Sequence, residues 1–166
     1  MVEHFDKNLW LSKFLLGFFG RPKRFFNKIW SLCSLGKGSL VLDVGGGNGL
    51  ITKYFVGKVK RIVVLDPAQK MLDCIKDSRI EKIKGVAQKI PFKSNSFDLV
   101  YCVDTLHHFT NGVSKDGLDV VKLCVKEMVR VLKKDGVLLI GEMEPRGLIG
   151  RGVKFFENKV FKMGSL

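Results

Sequence analysis

A glycine-rich turn that directly follows an apolar run is the feature that most constrains this chain. Residues 39–44 read Ser-Leu-Val-Leu-Asp-Val, and Gly-Gly-Gly-Asn-Gly follows at residues 45–49. A short, β-branched apolar run of this kind is typical of a buried parallel strand. Glycines at 45, 47 and 49 let the backbone turn sharply and approach a ligand without side-chain obstruction. The pattern predicts a strand, a ligand-binding turn and then a helix.

Apolar runs and helical patterns alternate along the rest of the chain. Further strands are predicted over residues 61–65, 83–86, 97–103 and 137–142, with helices over residues 50–57, 67–77 and 117–134. Strands that alternate with helices after short loops predict a parallel sheet covered on both faces. The predicted fold class is therefore α/β, with a Rossmann-like, doubly wound, mostly parallel sheet.

The glycine spacing argues against two other nucleotide-binding motifs. Counted from Gly45, the last glycine of the dinucleotide fingerprint G-x-G-x-x-G falls on Leu50, and counted from Gly47 it falls on Thr52. A P-loop needs a Gly-Lys pair, whereas Lys53 follows the turn without one. A nicotinamide or flavin site is thus disfavoured, and a P-loop is excluded.

The segment 43–49 resembles the D-x-G-x-G-x-G turn of class I S-adenosylmethionine-dependent methyltransferases. Asp66, 21 residues after Gly45, matches the acidic residue at the end of that family's second strand. The branch that contains ubiquinone and menaquinone biosynthesis methyltransferases is similar in further segments, at residues 85–92 (GVAQKIPF), 94–100 (SNSFDLV), 103–109 (VDTLHHF) and 126–136 (KEMVRVLKKDG). Ordered segments at suitable spacing, over about residues 37–143, make the resemblance specific.

The resemblance implies S-adenosylmethionine as the cofactor and S-adenosylhomocysteine as its product. The cofactor-binding residues that it implies are Asp43, Gly45, Gly46, Gly47, Asn48, Gly49, Asp66, Pro67, Ala87, Gln88 and Asp104. Asp66 would accept hydrogen bonds from both ribose hydroxyls. The alternative is that Asp66 only caps a helix in which Pro67 is the first residue, a role worth about 1 kcal/mol.

Adenine recognition departs from the family pattern. Many relatives carry an acidic residue where this chain has Val86, whose side chain accepts no hydrogen bond. We therefore expect the adenine to be recognised by the backbone of Ala87 or by the nearby Gln88.

Two histidines are the candidate catalytic residues. His107 and His108 follow the fourth predicted strand, at the edge where open α/β sheets place their ligands. Methyl transfer from a sulfonium is an in-line displacement, so the protein mainly positions donor and acceptor. Either histidine could take a proton from a phenol, hydroxyl or ring-carbon acceptor. The alternative is that both histidines only shape the acceptor pocket.

Cysteine placement and hydropathy indicate neither a metal site nor a membrane span. Cys33, Cys74, Cys102 and Cys124 lie far apart, with no C-x-x-C pair and no histidine at ligand spacing. No stretch approaches the 18 apolar residues of a spanning helix. We expect reduced thiols, no bound metal and a cytoplasmic protein, with peripheral membrane contact left open.

Positive charge and phenylalanine are concentrated at the two ends of the chain. Residues 1–38 hold seven Lys or Arg against two acids, and residues 145–166 hold five against one, so the ends carry most of the net charge of +13. We interpret residues 1–38 as a basic, aromatic helical arm and residues 39–166 as the methyltransferase domain. Such ends attract RNA or an anionic membrane surface. The alternative is an arm that packs its aromatic face on the domain and exposes its lysines.

Three functions remain open at this stage. Methyl transfer to a small, apolar or aromatic acceptor is the main expectation, because the arm would close over such a molecule. A tRNA or other RNA methyltransferase is the second, since the segment 107–110 has a likeness to wobble-uridine tRNA methyltransferases. The third is a non-catalytic module that kept the cofactor fold and lost its acceptor site.

The C-terminal part of the sequence looks shortened relative to the family. Residues 147–162 read as the helix after the fifth strand, and we expect strands 6 and 7 of the fold to be absent. One edge of the fifth strand would then be unpaired, and an unpaired edge invites association with a second copy of the chain.

Overall fold

Five parallel strands form the centre of the computed structural model, which describes residues 21–109 and 117–141. The helices are α1 (Arg21–Leu32), α2 (Gln69–Leu72) and α3 (Gly117–Val131), with 3₁₀ turns at Thr52–Phe55 and Leu106–Phe109. The strands are β1 (Leu40–Val44), β2 (Arg61–Asp66), β3 (Ile80–Lys84), β4 (Phe97–Val103) and β5 (Leu132–Gly141).

The strand order places the glycine turn at the point where the sheet topology reverses. The order is β3-β2-β1-β4-β5, with β1 between β2 and β4. Asp43 pairs in parallel register with Val64 on one side and with Tyr101 on the other. Because the sheet extends from β1 to β2 on one side and from β1 to β4 on the other, a crevice is expected beyond the carboxyl end of β1. The predicted doubly wound, parallel α/β fold is confirmed.

Two apolar clusters cover the two faces of this sheet. Alternate residues of β1 point to opposite faces, so Leu42 belongs to the cluster that α3 covers and Val41 to the cluster that α1 covers. In α1, Phe26 and Ile29 are buried, Lys23 and Arg24 are exposed and Lys28 is partly exposed. The described part of the predicted arm therefore packs its aromatic face on the domain.

The helix predicted over residues 67–77 is wrong over most of its length. The helix α2 covers only Gln69–Leu72, so Pro67 is not its first residue, and turns follow it. The helix predicted over residues 50–57 is reduced to the 3₁₀ turn Thr52–Phe55, and Gly57 follows with φ of 75°. Both segments are held by their buried apolar side chains rather than by long runs of helical hydrogen bonds.

The predicted boundaries around β3 and β5 also need correction. The strand β3 covers Ile80–Lys84 instead of residues 83–86. It is an edge strand in which charged residues alternate with the two isoleucines, so it lacks an apolar run. The helix predicted to residue 134 ends at Val131, and β5 begins at Leu132. Leu132 already pairs with β4, and the register resumes at Val137 after a bulge.

Several predicted features lie outside the described residues. These are most of the arm (residues 1–20) and the helix over residues 147–162. The predicted absence of strands 6 and 7 and the predicted unpaired edge of β5 also depend on residues beyond Gly141, which lie outside the described part. Within residues 21–109 and 117–141, no helix is both long and apolar enough to cross a membrane.

Candidate active site at the glycine turn

The backbone of the glycine turn takes angles that favour glycine. Gly45, Gly47 and Gly49 have φ values of 72°, 53° and 70°, in the left-handed region. The turn is tied to its neighbours, because the Gly45 amide donates to the Leu65 carbonyl at 2.7 Å. The Thr105 hydroxyl donates to the Gly45 carbonyl at 3.0 Å. A Cβ at Gly45 would lie 3.0 Å or less from three side-chain atoms of Thr105, so the glycine turn and the segment after β4 approach each other closely.

The carboxylate of Asp66 connects this turn to the start of α2. Its Oδ2 accepts a hydrogen bond from the Gly47 amide at 2.9 Å, and its Oδ1 accepts one from the Ala68 amide at 2.8 Å. Burial raises the pKa of Asp66, and the two backbone hydrogen bonds oppose that rise. Each carboxylate oxygen still has a free acceptor position for a ligand hydroxyl. The Asp66 side chain can thus accept the hydrogen bond from Ala68 and bind a ligand at the same time.

A second carboxylate, Asp43, lies beneath the turn. A Cβ at Gly46 would lie 2.8 Å or less from all three atoms of the Asp43 carboxyl group, so the carboxyl group packs directly against the turn backbone. Asp43 Oδ2 accepts hydrogen bonds from the hydroxyls of Thr52 and Tyr101, the latter at 2.7 Å. Burial raises the pKa of Asp43 to about 7, the two hydroxyl bonds oppose the rise, and the nearby charge of Asp66 adds to it.

The segment after β3 forms another side of the site. The Gly85 amide donates to the Asp66 carbonyl at 3.2 Å, which brings this segment beside β2. Val86 is 45% exposed, Ala87 is buried and Gln88 is partly exposed. The recognition of adenine by Ala87 or Gln88 stays a prediction.

Two residues that sequence reasoning missed hold the next part of this segment. Arg130 of α3 donates to the carbonyls of Phe92 at 2.8 Å and Ile90 at 2.9 Å. Glu127 accepts from the Ile90 amide at 2.9 Å and pairs with Arg130 at 2.7 Å. The only sequence signal was a glutamate and an arginine three residues apart on one helix face.

The carboxyl end of β4 contributes a strained residue and the histidine segment. Asp104 has φ of 58°, and its amide donates to the Gly141 carbonyl at 2.7 Å. The His108 amide donates to the Thr105 carbonyl at 2.9 Å, and the His108 side chain is partly exposed. The side chain of His107 lies outside the part that the structure describes.

Most of the residues predicted for the cofactor site surround the carboxyl ends of β1 and β2. The glycine turn, Asp43 and Asp66 are in direct contact, Asn48 is partly exposed in the turn, and Pro67 is exposed beside Asp66. Thr52, Tyr101 and Thr105 complete the arrangement and were not predicted. Their hydroxyls carry no sequence pattern, since each is defined by a partner in another element.

Comparison with known proteins assigns the family. Residues 42–140, from β1 to β5, match the methyltransferase domain family. The chain belongs to the class I S-adenosylmethionine-dependent methyltransferase family. The cofactor of this methyltransferase is S-adenosylmethionine, and no group of side chains able to hold a metal ion occurs among its described residues.

Two curated relatives show how wide the family is. Over 152 residues the chain is 31% identical to the ubiquinone/menaquinone biosynthesis C-methyltransferase UbiE of Saccharophagus degradans. This alignment covers 81% of the chain and 57% of the relative. Over 110 residues the chain is 33% identical to the tRNA (carboxymethyluridine(34)-5-O)-methyltransferase alkbh8 of Xenopus tropicalis, covering 66% of this chain and 16% of that protein. The chain thus spans 57% of the length of the first relative and 16% of the length of the second.

A solved structure supports the fold of the methyltransferase. The crystal structure of the YcgJ protein from Bacillus subtilis superposes with a TM-score of 0.62 at 25% identity, covering 71% of this chain and 50% of that one.

Proposed function

We propose that this methyltransferase transfers the methyl group of S-adenosylmethionine to a small, apolar or aromatic acceptor. The observation that carries the proposal is the site at the carboxyl ends of β1 and β2, where the glycine turn and the two buried carboxylates of Asp43 and Asp66 meet. The extent of the match to UbiE, 81% of this chain, supports a small-molecule acceptor.

The glycine turn and Asp66 are the proposed seat of the cofactor. The amide of Gly47 is already bound to Asp66, so the remaining acceptor positions of that carboxylate suit the two ribose hydroxyls. Ala87 and Gln88 are the proposed adenine contacts, and Asn48, Pro67 and Asp104 complete the set. When bound, the cofactor supplies a sulfonium that is a good leaving group. The protein then has to orient the acceptor and exclude water.

The acceptor is proposed to lie beyond the carboxyl end of β4. His108 follows this strand, and its partly exposed ring is suited to hold or take a proton near neutral pH. His107 is the alternative base. An acceptor with a phenol or an acidic ring carbon needs such a group, whereas an amine or thiol acceptor does not.

The start of α1 lies at the same edge of the sheet. The ring of Phe25 is 3.5 Å from the position of a Cβ at Gly141, the last residue of β5, and Val103 at the end of β4 is 3.6 Å from that position. Phe25 in α1 therefore lies beside the proposed acceptor site. The phenylalanines of residues 1–20 make that segment the proposed cover for an apolar acceptor.

RNA is the second candidate acceptor, because residues 21–60 carry a large excess of positive charge on mostly exposed side chains, which we call the basic surface. Residues 21–60 contain eight Lys or Arg and a single acid, the buried Asp43. Lys58 lies over the ring of Trp30 at 5.9 Å, and Lys53 over the ring of Tyr54 at 5.2 Å. Paired cations and partly exposed rings suit phosphate contact and base stacking. The match to a tRNA methyltransferase supports this candidate.

An untargeted methylation assay distinguishes these acceptors. The 166-residue chain is incubated with cell extract and cofactor labelled in the methyl group, and the lipid-soluble, small water-soluble and RNA fractions are counted separately. We expect label in an apolar small-molecule fraction. Gly47→Val serves as the matched inactive control and Gly38→Val as the active one, since a Cβ at Gly38 meets nothing within 4 Å. Label in RNA alone would favour the second candidate, and no label despite cofactor binding would indicate a non-catalytic module.

A further inference from the structure

Three side chains form a buried hydrogen-bonded group under the glycine turn. The hydroxyls of Thr52 and Tyr101 both bond to Oδ2 of Asp43, and they lie 3.1 Å from each other. Thr52 and Tyr101 are fully buried, and Asp43 is 3% exposed. No pattern in the sequence connects these residues, because they come from the turn after β1, from β4 and from β1 itself.

Packing fixes the two hydroxyls in place. The Tyr101 ring stacks on Phe55 with ring centres 5.6 Å apart, and Phe55 packs edge-on against Phe26 of α1 at 5.0 Å. Thr52 begins the 3₁₀ turn that carries Phe55. Because this packing leaves the side chains little freedom of movement, the positions of the two hydroxyls are set by the packing and not by their bonds to the carboxylate.

The position of the Asp43 carboxylate determines where the turn can lie. It packs against the backbone of Gly46, and the next amide, that of Gly47, is bonded to Asp66. The turn is therefore fixed from below by Asp43 and from the side by Asp66. A shift of the Asp43 carboxylate would move the glycine backbone that approaches the cofactor.

We propose that Thr52 and Tyr101 are positioning residues of the cofactor site. By holding the carboxylate of Asp43 beneath Gly46, they keep the glycine turn in the shape that receives S-adenosylmethionine. The proposal rests on the cofactor and not on the acceptor, so a failure of the acceptor assay leaves it standing.

Ionisation of Asp43 gives this proposal a readout that ordinary packing lacks. The groups that act on Asp43 are Thr52 from the 3₁₀ turn, Tyr101 from β4 and the charged Asp66 from β2. Both hydroxyls lower the pKa of Asp43, because they donate to its ionised form. If the two hydroxyls position an ionised carboxylate, removing either one moves the pH midpoint of cofactor binding upward.

The test is calorimetric titration of the 166-residue chain with S-adenosylmethionine between about pH 6 and about pH 8.5. Tyr101→Phe removes one hydroxyl and keeps the stacked ring, while Thr52→Val removes the other and keeps the shape. Thr52→Ser restores a hydroxyl. Tyr54→Phe is the matched control, because Tyr54 belongs to the same turn and its ring packs on Phe26 at 5.6 Å.

We expect Tyr101→Phe and Thr52→Val each to weaken cofactor binding about three- to tenfold near pH 7 and to raise the pH midpoint. Thr52→Ser and Tyr54→Phe should bind as the wild type does. Unchanged affinity and midpoint in folded Tyr101→Phe and Thr52→Val, or a lower melting temperature alone, would overturn the proposal. Should Tyr101→Phe fail to fold, the Thr52→Val and Thr52→Ser pair decides. A wild-type chain that binds no cofactor would overturn both this proposal and the cofactor site.

Discussion

Replacing Asp66 with alanine removes the carboxylate that joins the glycine turn to α2. In the free protein, the amides of Gly47 and Ala68 each lose an acceptor. In the complex, the cofactor loses the proposed charge-assisted bonds to its ribose hydroxyls. Hydrogen bonds to a charged group are worth about 1.5–3 kcal/mol, so affinity for S-adenosylmethionine should fall about ten- to a hundredfold.

The same substitution is expected to cost stability, which has to be measured separately. Unsatisfied buried amides cost about 1–3 kcal/mol each, although solvent entering the space left by the carboxylate reduces that cost. Asp77→Ala is the matched control, since Asp77 also accepts a bond from the amide two residues later, that of Arg79 at 3.0 Å, but on the surface. Asp77→Ala should leave cofactor affinity unchanged.

Isothermal titration of both variants, with circular dichroism to establish folding, measures the two effects. A folded Asp66→Ala variant with the affinity of the wild type would refute the ribose-binding role. Asp66 would then act only through its bonds to the two backbone amides. A tenfold or greater loss in Asp66→Ala, together with no loss in Asp77→Ala, is the predicted result.

Further predictions concern the turn, the buried carboxylate and the basic surface. Gly47→Val should abolish cofactor binding in a folded chain, because the φ of Gly47 is 53° and a Cβ at this position would lie 3.0 Å from Met71. Gly38→Val should bind the cofactor normally. Binding by Gly47→Val would show that the turn does not form the site. The pKa of Asp43 is raised from 3.8 to about 7, so the folded state favours the protonated form of this side chain. The stabilising contribution of Asp43 to the free energy of unfolding is therefore full below about pH 3.8 and is lost as the pH rises through about 7. Asp43→Asn should flatten this part of the thermal stability profile, and an unchanged profile would contradict the burial argument. Binding of a structured RNA or of acidic liposomes should weaken steeply with added salt, and no binding at low ionic strength would leave the basic surface without an anionic partner.

Local patterns were sufficient to predict the central strands and the glycine turn. The strands β1, β2 and β4 are buried on both faces, so each consists mainly of apolar residues, and their predicted bounds differ from the structure by at most one residue. The edge strand β3 was misplaced because charged residues interrupt its apolar positions. The end of α3 was misplaced because Leu132 fits an apolar helix position and a strand position equally well.

The hydrogen-bonded support of the site could not be predicted in the same way. Asp43 and Asp66 were found because they stand at fixed distances from the glycine turn in the family pattern. Thr52, Tyr101 and Arg130 act through partners that are brought near only by the fold, and Tyr101 looks in sequence like any aromatic residue of a buried strand. Sequence therefore identified the residues proposed to bind the cofactor better than those that hold them in position.

The most direct test of the account is equilibrium binding of the unmodified chain to S-adenosylmethionine, S-adenosylhomocysteine and NAD. The glycine spacing and the Asp66 carboxylate at the end of β2 predict binding of the first two ligands and no binding of NAD. Calorimetry or equilibrium dialysis at a single moderate salt concentration is sufficient, with Gly47→Val as the control for non-specific binding. Binding of NAD, or equal binding of S-adenosylmethionine by the wild type and Gly47→Val, would contradict the assignment of the cofactor site to the glycine turn.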